Sequence, residues 1–170
     1  MKKSFVAILM GSDSDLSTMQ HAAEIFKSLN IAYEMKITSA HRTPQRTLTY
    51  VEEAQNRGCA AFICGAGLAA HLAGVVAAHT IRPVIGVPLE AGGLNGLDAL
   101  LSTVQMPGGI PVACVAIGKP GAQNAAYLCA QILALQDETL AKRLFEIRRE
   151  NAEKIAEKDA ALGAKLAAMS

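Results

Sequence analysis

Thr38-Ser39-Ala40-His41-Arg42-Thr43-Pro44 sets hydroxyls, an imidazole and a guanidinium side by side in the chain. An imidazole moves protons near neutral pH, and a guanidinium offers a planar fork of donors to a phosphate or carboxylate. A second polar stretch is Gly11-Ser12-Asp13-Ser14-Asp15. Ser12 and Ser14 can donate to a phosphate alongside backbone N–H groups, whereas a carboxylate there would repel phosphate and could accept from sugar hydroxyls. Together they point to a sugar phosphate. A third stretch, Gly65-Ala66-Gly67-Leu68-Ala69-Ala70-His71-Leu72-Ala73-Gly74, offers backbone rather than side chains, since glycine and alanine at this density let a ligand or another chain approach closely. It is not the dinucleotide fingerprint, because Ala70 occupies the place of the third glycine. His71 within it reads either as a ligand contact or as a structural histidine among apolar residues. The hydroxyls and carboxylates likewise read as helix caps beside solvated polar groups.

Each of these stretches follows an apolar run. Phe5 to Met10 is a buried strand, followed by a helix with Leu16, Met19, Ala23 and Phe26 on one face. Ile31 to Ile37 is the second strand, and Thr43 as N-cap with Pro44 at the first helical position opens a helix that has Leu48, Val51 and Gln55 on one face and ends near Gly58. Ala60 to Cys64 is the third strand, with a helix after the glycine run reaching about His79, where it favours the helix dipole. Arg82-Pro83 precedes a fourth strand, Val84 to Val87; Pro88 to Pro111 is a long loop holding one short helix, Leu97 to Thr103. Val112 to Ile117 is the fifth strand, closed by Gly118-Lys119-Pro120-Gly121, and Ala122 to Leu135 is a helix apolar enough to be buried on more than one side. Asp137 to Met169 is an amphipathic helix whose stripe of Leu140, Leu144, Ile147, Ile155, Leu162 and Leu166 is expected to lie across a neighbouring subunit. Strands alternating with helices specify a parallel sheet, and the motifs fall at its carboxyl edge, where open α/β sheets bind ligands. The expectation is one α/β domain over residues 1–170, with a core at 5–135 and a terminal helix at 137–169.

With 51% apolar and 18% charged residues, the chain has little polar surface for a small monomer, so a homo-oligomer is expected. A net charge of +1 gives no basic field for nucleic acid. The apolar run after Met1-Lys2-Lys3 is too short for a signal peptide or a membrane span, so a cytoplasmic protein with no membrane partner is expected. Cys59, Cys64, Cys114 and Cys129 form no C-x-x-C pair and read as buried free thiols. No metal site is expected, since His21, His41, His71 and His79 lack acidic or thiol partners at ligand spacing.

These motifs, with Gln105-Met106-Pro107 to Pro111 in the same order and spacing, resemble the purine-pathway N5-carboxyaminoimidazole ribonucleotide mutases over roughly residues 5 to 135. The resemblance implies a three-layer flavodoxin-like sheet of strand order 2-1-3-4-5, an octamer with sites between subunits, and a reaction without cofactors. It also implies coupling to an ATP-dependent synthetase that makes the substrate. His41 would be the acid/base; Ser12, Ser14, Ser39 and Arg42 would hold the phosphate region beside Ala40, and Asp15 the ribose. Gly65, Ala66, Gly67, Leu68, His71 and Leu72 would wall the pocket for the base and CO2. The chain departs at Leu68 and Ala73, where the family commonly has Gly and Pro. A sister class that carboxylates aminoimidazole ribonucleotide directly with CO2 tends to carry Lys at the position of Arg42 and lacks the Gly-Ala-Gly-x-Ala-Ala-His pattern, which places this chain with the mutases. Two non-enzymatic readings share the topology. A signalling receiver needs a phosphorylatable Asp where Cys64-Gly65 stands, and a flavin carrier needs aromatic residues at the sheet edge.

Overall fold

The computed structural model describes residues 4–169, which form two compact units, residues up to 130 and residues from 131. The first holds a five-stranded parallel sheet in the order β2-β1-β3-β4-β5, a flavodoxin-like arrangement. Its strands are β1 (Phe5–Met10), β2 (Ala32–Ile37), β3 (Cys59–Gly67), β4 (Val84–Leu89) and β5 (Ala113–Cys114). The helices are α1 (Leu16–Ser28), α2 (Pro44–Asn56), α3 (Leu72–Ala77), α4 (Leu97–Val104) and α5 (Gly118–Ala134), the last ending beyond the first unit. Both faces of the sheet are covered. Phe5, Ala7, Leu9, Phe62, Cys64 and Val84 pack with Val51 of α2 and Val76 of α3. The alternate residues of the strands meet α1 and α5, as at Gly65 against Met19 and Val87 against Gly121. Every residue of β1 and β4 is buried, which is why both read as unbroken apolar runs.

Several boundaries differ from the sequence reading, each for a packing reason. β3 continues through Gly65-Ala66-Gly67, which pair with Val87, Pro88 and Leu89, so these glycines belong to a strand and not to a loop, and β4 likewise runs on to Leu89. β5 is only two residues long because its sole ladder is Ile85–Ala113 and Gly86–Cys114 at the sheet edge. Gly118 to Gly121 form the first turn of α5 instead of closing a strand, and Gly121 lies so close to the Ala116 carbonyl that no Cβ fits. α5 buries one face only, Gly121, Ala122, Ala125, Ala126, Cys129 and Ala130. α2 turns Thr47, Val51 and Ala54 inward rather than Leu48 and Gln55, and on α1 Leu16 is exposed. α3 stops at Ala77, short of His79. Cys59, Cys64 and Cys129 are buried free thiols, but Cys114 is half-buried. Burial pushes the Cys59 thiol up to about 11, so it stays protonated at neutral pH.

The second unit is dominated by α6 (Glu138–Ala167), a single 30-residue helix. Asp137 caps it by accepting the Leu140 N–H at 3.0 Å. Arg143 donates to Glu146 and Glu150 along its surface. Leu140 is buried, whereas Phe145, Ile155 and Leu162 stay exposed. Among the described residues no helix is long and apolar enough to cross a membrane.

Candidate active site

β1 is flanked by β2 and β3 with Met10 opposite both Ile37 and Gly65, so the turns after β1 and β2 leave the sheet at one level and the turn after β3 leaves it two residues further on, at the same edge. Backbone bonds tie the exits together: Thr38 N donates to Met10 O at 2.8 Å, and Gly11 N to Gly65 O at 3.2 Å. The turn after β1 is fixed by a reciprocal cap. Ser12 N donates to Asp15 Oδ2 at 2.9 Å, and Ser14 N to Ser12 Oγ at 3.4 Å. The hydroxyls of Ser14 and Ser12 lie 3.0 Å apart. Burial raises the Asp15 carboxyl above its ordinary value, against the N–H bonds from Ser12 and Gly11. Asp13 is exposed and held below its ordinary value by the Ser12 hydroxyl, then the Ser14 N–H, with Arg42 contributing at longer range.

In the turn after β2, Ser39 Oγ accepts the Arg42 N–H at 3.1 Å, which closes the turn; within it Ala40 packs against the core and His41 is exposed. Thr43 occupies the N-cap position of α2, but its hydroxyl makes no helix cap. It accepts the Ser39 N–H at 3.0 Å and donates back to Ser39 O at 3.2 Å. Beneath it the buried hydroxyls of Thr38 and Thr47 meet at 2.7 Å. These threonines were not among the expected site residues, although the Thr43–Thr47 spacing of one helical turn marks them as a pair that can share a face. Arg42 is exposed and reaches back to Gly11 O at 3.5 Å, leaving most of its guanidinium donors open.

The two histidines of the motifs meet. His41 Nε2 and His71 Nδ1 lie 2.7 Å apart, with ring centroids 4.9 Å apart and planes at 85°. His71 precedes α3 and is exposed, so it is neither a core histidine nor shielded from a ligand. Leu68 is 53% exposed and stands at φ +55°, the left-handed region that costs a branched side chain and that glycine enters freely. Gly65 and Gly67 serve packing, because a Cβ on them would meet Met19 Sδ at 2.5 Å and Ala91 Cβ at 2.9 Å. Leu72 turns its side chain into the core at 2% exposure, so it can offer a ligand only backbone. Ala66 is half-buried, paired with Pro88 of β4 and packed against the core.

The assembled edge thus holds an imidazole pair, an open guanidinium, the hydroxyls of Ser12, Ser14 and Ser39, and the carboxylates of Asp13 and Asp15. That inventory suits proton transfer on an anionic, hydroxylated small molecule. Among the described residues no group of three or more His, Cys, Asp or Glu side chains is placed to hold a metal ion. A groove of 840 Å³ lined by Ala77, His79, Ile81, Arg82 and Pro111 lies at the amino end of β4; it includes Gly109, Ile110 and Pro111 of the Gln105–Pro111 stretch and no residue of the other three motifs.

Comparison with known proteins agrees with this geometry. The AIR carboxylase family matches residues 5–154. The N5-carboxyaminoimidazole ribonucleotide mutase of Bacillus subtilis is 58% identical over 146 residues, covering 86% of this chain and 90% of that protein. The mutase of Escherichia coli is 51% identical over 152 residues, covering 89% and 90%. The crystal structure of Treponema denticola PurE superposes with a TM-score of 0.84 at 32% identity, covering 94% of this chain and 98% of that one. The fold, the motif order and these similarities agree, and the chain belongs to the AIR carboxylase family.

Proposed function

We propose that the chain is an isomerase that moves a carboxylate within N5-carboxyaminoimidazole ribonucleotide, from the exocyclic nitrogen to ring carbon C4, in purine biosynthesis. The observation that carries the reading is His41, exposed beside Arg42 at an edge shared with Ser12, Ser14, Ser39 and Asp15. Relatives bearing the mutase name at 51–58% identity support it over direct carboxylation.

In this reading His41 protonates the carbamate nitrogen. The C–N bond then breaks with its electron pair going to nitrogen, and CO2 is released. Ring carbon C4 attacks the enclosed CO2, and His41 removes the C4 proton so that the ring regains its aromaticity. One imidazole serves both transfers in turn, as acid and then as base. Ser12, Ser14, Ser39 and Arg42 hold the 5′-phosphate, and Asp15 accepts from the ribose. Ala40, Ala66, Leu68, His71 and the backbone of Gly65, Gly67 and Leu72 wall the base and CO2, which keeps CO2 beside its acceptor. No cofactor enters the scheme. The assembly is a homo-octamer in the cytoplasm, fed by a separate synthetase. Exposed Leu94, Leu97, Leu101 and Val104 near α4 support subunit contact.

The test supplies N5-carboxyaminoimidazole ribonucleotide, and separately aminoimidazole ribonucleotide with bicarbonate, to the protein and to His41→Asn. Faster turnover of the first substrate, lost by ~10²–10⁴-fold in the variant with binding retained, is the expected result. Preference for the second substrate overturns the mutase reading; near-normal kcat in His41→Asn overturns the role of His41.

A further inference from the structure

We propose that Thr43 is the positioning residue for the turn that carries Ser39 and Arg42, and that its hydroxyl decides how firmly the site holds the substrate phosphate. The inference rests on the phosphate assignment of Ser39 and Arg42 given above. Thr43 Oγ1 accepts the Ser39 N–H at 3.0 Å and donates to Ser39 O at 3.2 Å, while Thr43 N donates to the same carbonyl at 2.9 Å. Both backbone groups of Ser39 are thereby taken by one residue. The Ser39 hydroxyl oxygen accepts the Arg42 N–H at 3.1 Å, which leaves its proton without an acceptor among the described residues, and the Arg42 guanidinium hydrogen-bonds only to Gly11 O, at 3.5 Å. The donors left over are a hydroxyl and a guanidinium fork, the kind a phosphate accepts from.

A threonine before a helix ordinarily turns its oxygen to the N–H groups of the first turn, and that cap stabilises the helix. Thr43 stands in the N-cap place of α2 at φ −138° and makes no such bond. Its hydroxyl faces back to Ser39, so α2 forgoes a side-chain cap and the turn gains a clamp. A local preference set aside in this way marks a place where function competes with stability. The clamp stands on a fixed floor. Thr47 N and Thr47 Oγ1 both donate to Thr43 O, at 3.1 and 3.2 Å, and Thr38 Oγ1 lies 2.7 Å from Thr47 Oγ1. Since Thr47 gives its hydroxyl proton to Thr43 O, Thr38 is the donor of that pair. Thr47 is fully buried, and Thr38, buried as well, is held by its N–H to Met10 O at 2.8 Å. Thr43 is thus tied by its carbonyl to α2 and, through Thr47 and Thr38, to β1.

A phosphate needs the Ser39 hydroxyl and the Arg42 fork in place at the same time. Holding the Ser39 backbone fixes where its hydroxyl starts, and the bond from Arg42 N to Ser39 Oγ carries that placement on to Arg42. With the donors set before the ligand arrives, less freedom is lost on binding. Without the Thr43 hydroxyl the Ser39 N–H loses its acceptor, and the turn is free to shift in search of another. Thr43 never touches the substrate in this scheme.

The experiment compares the full chain with Thr43→Val, which keeps the shape and loses the hydroxyl, and with Thr43→Ser, which keeps the hydroxyl and loses a methyl. Binding of aminoimidazole ribonucleotide is measured beside binding of the same riboside without its phosphate. Thr43→Val should weaken the ribonucleotide about 10-fold, the size of one hydrogen bond to a charged group, and leave the riboside unchanged. Thr43→Ser should restore the parent preference. On an Arg42→Lys background Thr43→Val should cost far less, because both changes act on one phosphate. Amide hydrogen exchange of the unliganded proteins reports the clamp itself: the Ser39 N–H should exchange faster in Thr43→Val than in Thr43→Ser. An equal loss of both ligands in Thr43→Val overturns the proposal, since it means a general loosening of the fold. So does binding as weak in Thr43→Ser as in Thr43→Val, which would assign the effect to methyl packing. Should Thr43→Val fail to fold, Thr43→Ala takes its place in the same comparison. Loss of the functional reading itself shows differently: the parent chain would then bind both ligands alike while Ser39 exchange still reported the clamp.

Discussion

Met19 of α1 occupies the space that a side chain at Gly65 of β3 would need, with its Sδ 2.5 Å and its Cγ 2.9 Å from the ideal Cβ position. Met19 is fully buried, so it has no solvent to retreat into. Gly65→Ala should therefore cost about 1–3 kcal/mol of stability, the usual cost of overpacking. Combining it with Met19→Ala should cost less than the sum of the two, because the added methyl occupies space the methionine leaves. Urea unfolding of the four proteins tests this, and additive losses would mean that the two sites do not meet.

Two helical glycines should respond to alanine with opposite signs. At Gly121 the obstacle is the backbone carbonyl of Ala116, in the short link between β5 and α5, whereas nothing lies within 4 Å of the Cβ position at Gly163 in α6. Gly163→Ala should gain up to about 1 kcal/mol from helix propensity. Gly121→Ala should lower Tm and be more damaging than Gly65→Ala, whose obstacle is a side chain. Calorimetry orders the three, and a harmless Gly121→Ala would contradict the packing of α5.

Glu34 on the edge strand accepts from both guanidinium nitrogens of Arg57, at 2.8 Å for the Nη2 bond, and from Tyr50 OH at 3.0 Å. The Arg57 bonds, followed by Tyr50, hold the Glu34 carboxyl below its ordinary value of 4.5. A carboxylate with a depressed folded-state pKa stabilises the fold above its unfolded value and loses that contribution as pH falls through the folded one. The stability difference between the parent chain and Glu34→Gln should thus be largest at neutral pH and close on acidification below 4.5. A difference independent of pH would assign Glu34 a packing role alone.

Arg42→Lys tests the phosphate assignment. An ammonium cannot reproduce a bidentate fork, so KM should rise markedly while kcat changes less. An unchanged KM under steady-state assay would remove Arg42 from the substrate site.

The sequence carried the parallel sheet and its strand order because apolar runs such as Phe5 to Met10 and Val84 to Val87 need burial on both faces, and the family likeness supplied the order. It misjudged Gly65 to Gly67 because local glycine density looks the same in a loop and in a strand pressed against Met19 and Ala91. The polar turns of the site were legible, since Ser12, Asp15, Ser39 and Arg42 lie close together in the chain. The contact between His41 and His71 was not, because it spans 30 residues and depends on β2 and β3 both flanking β1. Thr43 was legible as a position but not as a function: its hydroxyl holds the Ser39 backbone instead of a helix end.

The interior place of β1, between β2 and β3, shapes how the chain is made. Both of its sheet partners, β2 and β3, lie later in the sequence, so Phe5–Met10 leaves the ribosome well before anything exists to pair with it. Until Cys59–Gly67 has emerged, six consecutive apolar residues with no charge and no proline stand unpaired on one side, the composition of an aggregation-prone segment. The strand that anchors the site therefore stays open to a wrong partner for as long as the segment from β1 to the end of β3 takes to be made.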